Sequence, residues 1–244
     1  MNIFGLIGHP LSHSFSKQYF DNKFKEEQIV DVSFELYDIE NIAALKSILE
    51  DKSVKGLAVT IPYKQEVISF LNEADGVTKQ INACNCIRIK DGKLFGFNTD
   101  VIGFEKSFIK DLKPNHTKAL VLGNGGASAA VKFVLNKLQI DYQIVTRTKQ
   151  ENTITYFDLN EAVIESHHLI INTTPVGTYP NIRDYVDIPY QHLTSQHYLF
   201  DLVYNPSLTA FMQKGLHKNA FVKNGYEMLA IQAEQNWKIW NEIN

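Results

Sequence analysis

Cysteine is scarce: Cys84 and Cys86 are the only two in a chain of 244 residues. They stand Cys-x-Cys on a stretch that reads as a strand. That is not the Cys-x-x-Cys of a redox pair, and without clustered histidines it makes a poor metal site. They read as small packing residues in a reducing compartment, so a cytoplasmic location and no metal are expected. An excess of charge of one sign is also missing. The formal net charge of −3 offers no footprint for nucleic acid. No apolar run approaches the roughly 20 residues that span a bilayer, so no membrane partner is expected. The start, Met1-Asn2-Ile3-Phe4-Gly5, lacks the basic and apolar regions of a signal peptide. Repeats, linkers and low-complexity segments are absent too. What remains is an ordinary α/β composition, with enough chain for one large domain or two small ones.

One stretch organises the rest. Ala119 to Leu122 is apolar, Gly123-Asn124-Gly125-Gly126-Ala127-Ser128 follows, and an apolar-rich run continues to Leu135. This is the strand–turn–helix pattern of a nucleotide-binding βαβ unit. Gly123 allows the tight turn and Gly125 lets backbone approach a pyrophosphate. A helix from Gly126 would aim free N–H groups and its positive dipole end at the phosphates. Ser128 stands where the usual third Gly would be, so a tight turn without a nucleotide is the competing reading. The next strand, Tyr142 to Val145, ends in Thr146-Arg147-Thr148-Lys149. That is roughly twenty residues beyond the turn, where the ribose contact is expected. Arg and Lys with hydroxyls, in place of an acid, suit a 2′-phosphate, which points to NADP. The alternative is a basic strand end exposed to water.

Before this unit the chain reads as a smaller α/β region. Asn2 to Gly8 is a buried strand, and the segment Leu11 to Lys17 leads into a helix carrying Tyr19, Phe20 and Phe24. Ser14 or Ser16 is either an N-cap or, with the helix dipole, a site for a small carboxylate. Val32 to Ile39 and Gly56 to Thr60 are further strands, with a helix between them marked by Ile42, Leu45, Ile48 and Leu49. Thr60 and Lys64 fall where strand gives way to a short helix through Val67, Phe70 and Leu71. Ile81 to Phe97 reads as a β-hairpin turning at Asp91-Gly92. Asp100 opens the next helix, where an N-cap role would account for it. Beyond Lys149, strands are expected at Leu169 to Asn172, Tyr198 to Tyr204 and Ala220 to Val222, with a helix around Leu208, Phe211 and Met212. A final helix carries Met228, Leu229, Ile231, Trp237, Ile239 and Trp240 and demands a packing partner.

Taken in order, these motifs resemble the shikimate dehydrogenase family over nearly the whole length. The resemblance is carried by Gly8-His9-Pro10 with Ser14-x-Ser16, by Val59-Thr60-Ile61-Pro62-Tyr63-Lys64, and by Asn82-Ala83-Cys84-Asn85. Asn98-Thr99-Asp100-Val101-Ile102-Gly103, Thr146-Arg147-Thr148, Asn172-Thr173-Thr174-Pro175, Asp201 to Pro206 and Gly225 to Gln232 complete the series. It implies a two-domain α/β protein, with an N-terminal substrate domain, a Rossmann-like NADP domain and a last helix returning to the first domain. The expected boundaries are a shikimate-binding catalytic domain over residues 1–100, completed by 226–244, and an NADP-binding domain over 101–225.

The activity implied is the reversible, NADP-dependent reduction of 3-dehydroshikimate to shikimate in aromatic amino-acid (chorismate) biosynthesis. Lys64 and Asp100 would be catalytic. Ser14, Ser16, Thr60, Asn85, Tyr204 and Gln232 would join them in holding the substrate. Gly123, Asn124, Gly125, Gly126, Ala127, Thr146, Arg147, Thr148, Lys149 and Gly225 would bind the cofactor. A monomer or homodimer is expected. The chain departs from the family at Ala58, where many members have Asn, at Lys17, where Pro is frequent, and at Gln150-Glu151-Asn152, where a further Arg is common. A quinate/shikimate dehydrogenase using NAD or NADP, and a non-catalytic sensor of shikimate-like ligands, are the competing readings.

Overall fold

The computed structural model describes residues 1–11 and 15–242. They form two compact units, Met1–Ile102 with Ala230–Asn244, and Gly103–Leu229.

Unit 1 contains β1 (Asn2–Gly8), α1 (Phe15–Glu26), β2 (Val32–Asp38), α2 (Leu45–Ile48), β3 (Val54–Val59), β4 (Glu73–Ala74), α3 (Gly76–Ile81), β5 (Cys86–Lys90), β6 (Lys93–Phe97) and the start of α4 (Asp100–Phe108). The strands make one mixed sheet in the order β2-β1-β3-β5-β6-β4. Its central strands are apolar on both faces, as a covered sheet requires. Along β1, Phe4 and Leu6 join one core cluster and Ile7 joins another. Along β3, Ala58 goes to the first, and Leu57 and Val59 to the second.

The expected hairpin proves shorter than Ile81 to Phe97. Asp75 caps α3 by accepting from the Thr78 N–H at 2.7 Å, and helix occupies the chain to Ile81. The turn itself lies at Asp91 and Gly92, with φ of 50° and 72°, the two positive φ values of a type I′ turn. The helix expected around Ile42 to Leu49 splits into a 3-10 turn, Ile42–Ala44, and the four residues of α2. The short helix after Lys64 is a 3-10 turn, Glu66–Phe70.

Unit 2 contains β7 (Lys118–Leu122), α5 (Gly126–Lys137), β8 (Asp141–Thr146), β9 (Thr153–Thr155), α6 (Glu161–Ser166), β10 (Leu169–Asn172), β11 (Tyr198–Asp201), α7 (Ala210–Leu216), β12 (Phe221–Asn224) and the start of α8 (Tyr226–Trp240). Its sheet is parallel throughout, in the order β12-β11-β10-β7-β8-β9. The chain runs outward from β7 and then restarts at β10 on the other side, the doubly wound order with its crevice at the β7/β10 switch point. β11 stops at Asp201 instead of reaching Tyr204, because the Asp201 carboxylate itself accepts from the Val203 N–H at 3.1 Å and turns the chain. Leu208 falls outside α7, whose N-cap is Thr209, accepting from the Met212 N–H. β9 and α6 had no strong periodic signal. Among the described residues no helix is long and apolar enough to cross a membrane.

Candidate active site

Lys64 and Asp100 come together in unit 1. Lys64 follows the end of β3, where its carbonyl accepts from the Cys84 N–H at 2.7 Å. Asp100 is the first residue of α4. The Val101 N–H is taken by Asn98 Oδ1 at 3.2 Å, so the Asp100 carboxylate is not needed as a cap. It accepts instead from Lys64 Nζ at 2.6 Å, with the two side chains 15% and 11% exposed. A charge-assisted bond with little water around it holds the ammonium in one place, and among the described residues its other N–H groups have no partner.

Behind this pair runs a buried polar chain. Asn85 Oδ1 accepts from the Thr99 N–H at 2.7 Å, and Asn85 Nδ2 donates to Thr99 Oγ1 at 3.0 Å. Thr99 Oγ1 donates to Asn236 Oδ1 at 2.6 Å, and Asn236 Nδ2 donates to Gln232 Oε1 at 3.2 Å. All four residues are buried. The chain orients two amides: among the described residues one N–H of Asn85 Nδ2 and the Nε2 of Gln232 have no hydrogen-bond partner. Thr60 lies at the end of β3, its methyl packed where Gly8 has no Cβ. Ser16 is the second residue of α1, within the helix and not its cap. Ser14 lies outside the described residues.

Sequence reasoning missed Thr99 and Asn236 as positioning groups, and also Asp38. Asp38 accepts from His9 at 2.6 Å and from the Leu11 N–H at 3.1 Å, tying down the segment that leads to the two serines. The His9 bond holds the Asp38 carboxyl below its usual range. Cys84 and Cys86 are buried free thiols, and desolvation pushes the Cys84 thiol up to about 12, which leaves it unreactive.

In unit 2, Gly123 has φ of +103° and sits against Thr173 and Thr174, so a side chain there is excluded twice. Gly125 differs: its φ of −87° is ordinary and a Cβ would meet nothing within 4 Å. That open space lies at the N-terminus of α5, beside the first N–H groups of the helix, and is what a close-approaching pyrophosphate needs. Ser128 fits the place of the third Gly by turning its hydroxyl inward to donate to the Gly125 carbonyl at 2.6 Å. Thr146 is buried and donates to the Thr148 carbonyl at 2.8 Å, which shapes the turn carrying Arg147 and Lys149. Both cations are exposed, and among the described residues neither has a carboxylate within ion-pair distance. These groups fit a dinucleotide bearing a 2′-phosphate.

Further along, Asp201 is fully buried and accepts from Thr209 Oγ1 at 2.6 Å, Asn172 Nδ2 at 2.9 Å and the Val203 N–H. Burial raises its pKa to about 6. The carboxylate thereby fixes the start of the loop that bears Tyr204. Gly225 is required by close packing, since a Cβ would come within 2.2 Å of the Leu202 carbonyl oxygen. Among the described residues no group of three or more His, Cys, Asp or Glu is placed to hold a metal ion.

A sequence model of the shikimate dehydrogenase substrate binding domain matches residues 6–87. The chain is 36% identical over 251 residues to the shikimate dehydrogenase (NADP(+)) of Ignicoccus hospitalis, covering 98% of this chain and 92% of the relative. It is 34% identical over 255 residues to that of Clostridium beijerinckii, covering 99% and 93%. The crystal structure of shikimate 5-dehydrogenase from Thermus thermophilus, in complex with NADP(H) and shikimate, superposes with a TM-score of 0.87 at 27% identity, over 99% of this chain and 94% of that one. With matches of this extent joined to the paired Lys64 and Asp100 and the doubly wound second sheet, the chain belongs to the shikimate dehydrogenase family.

Proposed function

We propose that the protein catalyses the reversible, NADP-dependent reduction of 3-dehydroshikimate to shikimate, in the cytoplasm. Residues 1–100 with 226–244 bind the substrate and residues 101–225 bind NADP. The observation that carries the reading is the Lys64–Asp100 pair at 2.6 Å, with Thr99, the residue before Asp100, bonded into the amide chain of Asn85, Asn236 and Gln232.

Bound NADPH supplies the hydride that reduces the carbonyl carbon. The Lys64 ammonium stabilises the charge developing on the carbonyl oxygen and gives it a proton, and Asp100 holds that ammonium in position. In the reverse direction the same pair removes the hydroxyl proton. Asn85, Gln232, Thr60 and Asp100 offer donors and acceptors for ring hydroxyls, while Ser14, Ser16 and Tyr204 bind the carboxylate. A pre-bonded network of this kind discriminates against analogues lacking a hydroxyl, because its own buried groups are then left unpaired. Gly123, Asn124, Gly125, Gly126 and Ala127 take the pyrophosphate. Thr146, Arg147, Thr148 and Lys149 take the 2′-phosphate, and Gly225 lies by the nicotinamide.

The test is absorbance of the reduced nicotinamide with shikimate or quinate and NADP+ or NAD+, in all four pairings. Turnover confined to shikimate with NADP+ is expected. Comparable turnover with quinate or NAD+ would move the protein to the quinate/shikimate dehydrogenases, and ligand binding without turnover would make it a sensor.

A further inference from the structure

The turn assigned to the 2′-phosphate carries Arg147 and Lys149, but Glu151 follows at once. A phosphate monoester brings a charge near −2 at neutral pH, so this turn leaves it incompletely compensated. A third cation stands close by, on a different element. Lys132 lies on α5, where side chains lean back toward the helix N-terminus. Its Nζ donates to Asn124 Oδ1 at 2.9 Å, and Asn124 Nδ2 donates to Gln150 Oε1 at 3.1 Å. Lysine, Gly-rich turn and the loop after β8 are thus joined in one bridge. Gly123 N–H to Val145 O, at 2.8 Å, fixes the same two segments side by side at their backbones.

Lys132 is half-buried, and among the described residues no carboxylate pairs with it; its one bonded partner is a neutral amide. A partly desolvated cation without a counter-ion is disfavoured. Desolvation accordingly holds the Lys132 ammonium below the ordinary lysine range, and an anion beside it would relieve that cost. We infer that Lys132 is the third cation of the 2′-phosphate site and a determinant of the preference for NADP over NAD. The inference rests on the NADP reading above.

Calorimetric binding of 2′,5′-ADP and 5′-AMP, which differ only in the 2′-phosphate, tests it on the intact protein. Arg147→Ala is the reference variant. Lys132→Gln retains a donor to Asn124 and removes the charge. It is expected to weaken 2′,5′-ADP about tenfold and to leave 5′-AMP within about twofold, as loss of one charge-assisted bond implies. Lys132→Arg should recover most of the loss. Equal weakening of both nucleotides, or no change in either, would leave Lys132 a structural staple of the turn and overturn the inference alone. A wild-type protein that binds the two equally would overturn the NADP reading, and Lys132 with it.

Discussion

An aspartate in the first turn of a helix is favoured by the free N–H groups around it whatever else it does. Asp100 is therefore ambiguous as a letter in the sequence. Asn98 resolves the ambiguity by taking the Val101 N–H, which leaves the carboxylate to Lys64. On the proposed role, in which that ammonium acts chiefly on charge developing in the transition state, Lys64→Ala should lower kcat by about 10³-fold or more. The dissociation constant for shikimate should stay within about threefold. Steady-state kinetics with calorimetry separates the two, and a raised dissociation constant at unchanged kcat would remove Lys64 from the chemistry. Lys64, Asp100, Asn85 and Gln232 were named through the family resemblance, and the structure pairs Lys64 with Asp100 and joins Asn85 to Gln232 through Thr99 and Asn236. Thr99 and Asn236 were not, since nothing local marks a buried amide whose partner lies 137 positions away in the chain.

At the scale of elements, α8 shows what an amphipathic pattern leaves open. Its apolar residues announced a partner without naming one. In unit 1 the partner is the β1 side of the mixed sheet. Trp240 stacks on Phe4 with ring centroids 5.1 Å apart, and its Nε1 donates to the Ile87 carbonyl at 3.0 Å. Gly56 of β3 makes room for that indole: a Cβ there would come within 2.2 Å of Trp240. The same helix carries Gln232 and Asn236, so its docking on the sheet also sets the buried amide chain that runs to Thr99. Trp240→Ala should cost about 3–5 kcal/mol of stability in chemical denaturation, through the cavity and the lost hydrogen bond. A loss below about 1 kcal/mol would show that other contacts hold α8. The elements that sequence periodicity misjudged, α2 and α3, are short and governed by caps and turns. At that length, local side-chain bonds outweigh any repeating pattern.

For the whole molecule, the pH response is written into the histidines of unit 2. His116 Nδ1 accepts from the Lys113 N–H at 3.1 Å, and His197 Nδ1 accepts from the Thr194 N–H at 3.0 Å. Protonation would destroy both acceptors. Burial is the main cause that lowers His116, His167 and His197 below 6.5. His168 faces His116, His167 and His197 and adds to the depression, with Lys113 near His116 and Lys118 near His167. Unfolded histidines therefore bind protons that the folded ones refuse. This contribution to stability is present above pH 6.5 and lost as pH falls below it. Asp201, raised to about 6, works in the opposite direction: its folded form takes up a proton first, so it adds stability below about pH 6. Thermal unfolding should show a nearly level midpoint above about pH 7 and a falling one below about pH 6.5, with Asp201 offsetting part of the fall below about pH 6. A midpoint that rises as pH falls from 7.5 to 6 would contradict the burial of neutral histidines.

What the sequence determined by itself was the class of each long segment, the Gly-rich turn with its βαβ unit and, through the ordered motifs, the resemblance to the family. These depend on period, on φ > 0 at Gly123, and on motifs that each occupy a few consecutive residues. Tertiary structure decided which polar groups meet: Lys64 with Asp100, Thr99 with Asn236, and Lys132 with Asn124 and Gln150. Such pairings are set by strand order, helix docking and loop length acting together. A side chain's hydrogen-bond capacity is readable from its letter, but its partner is chosen only when the backbone has folded around it.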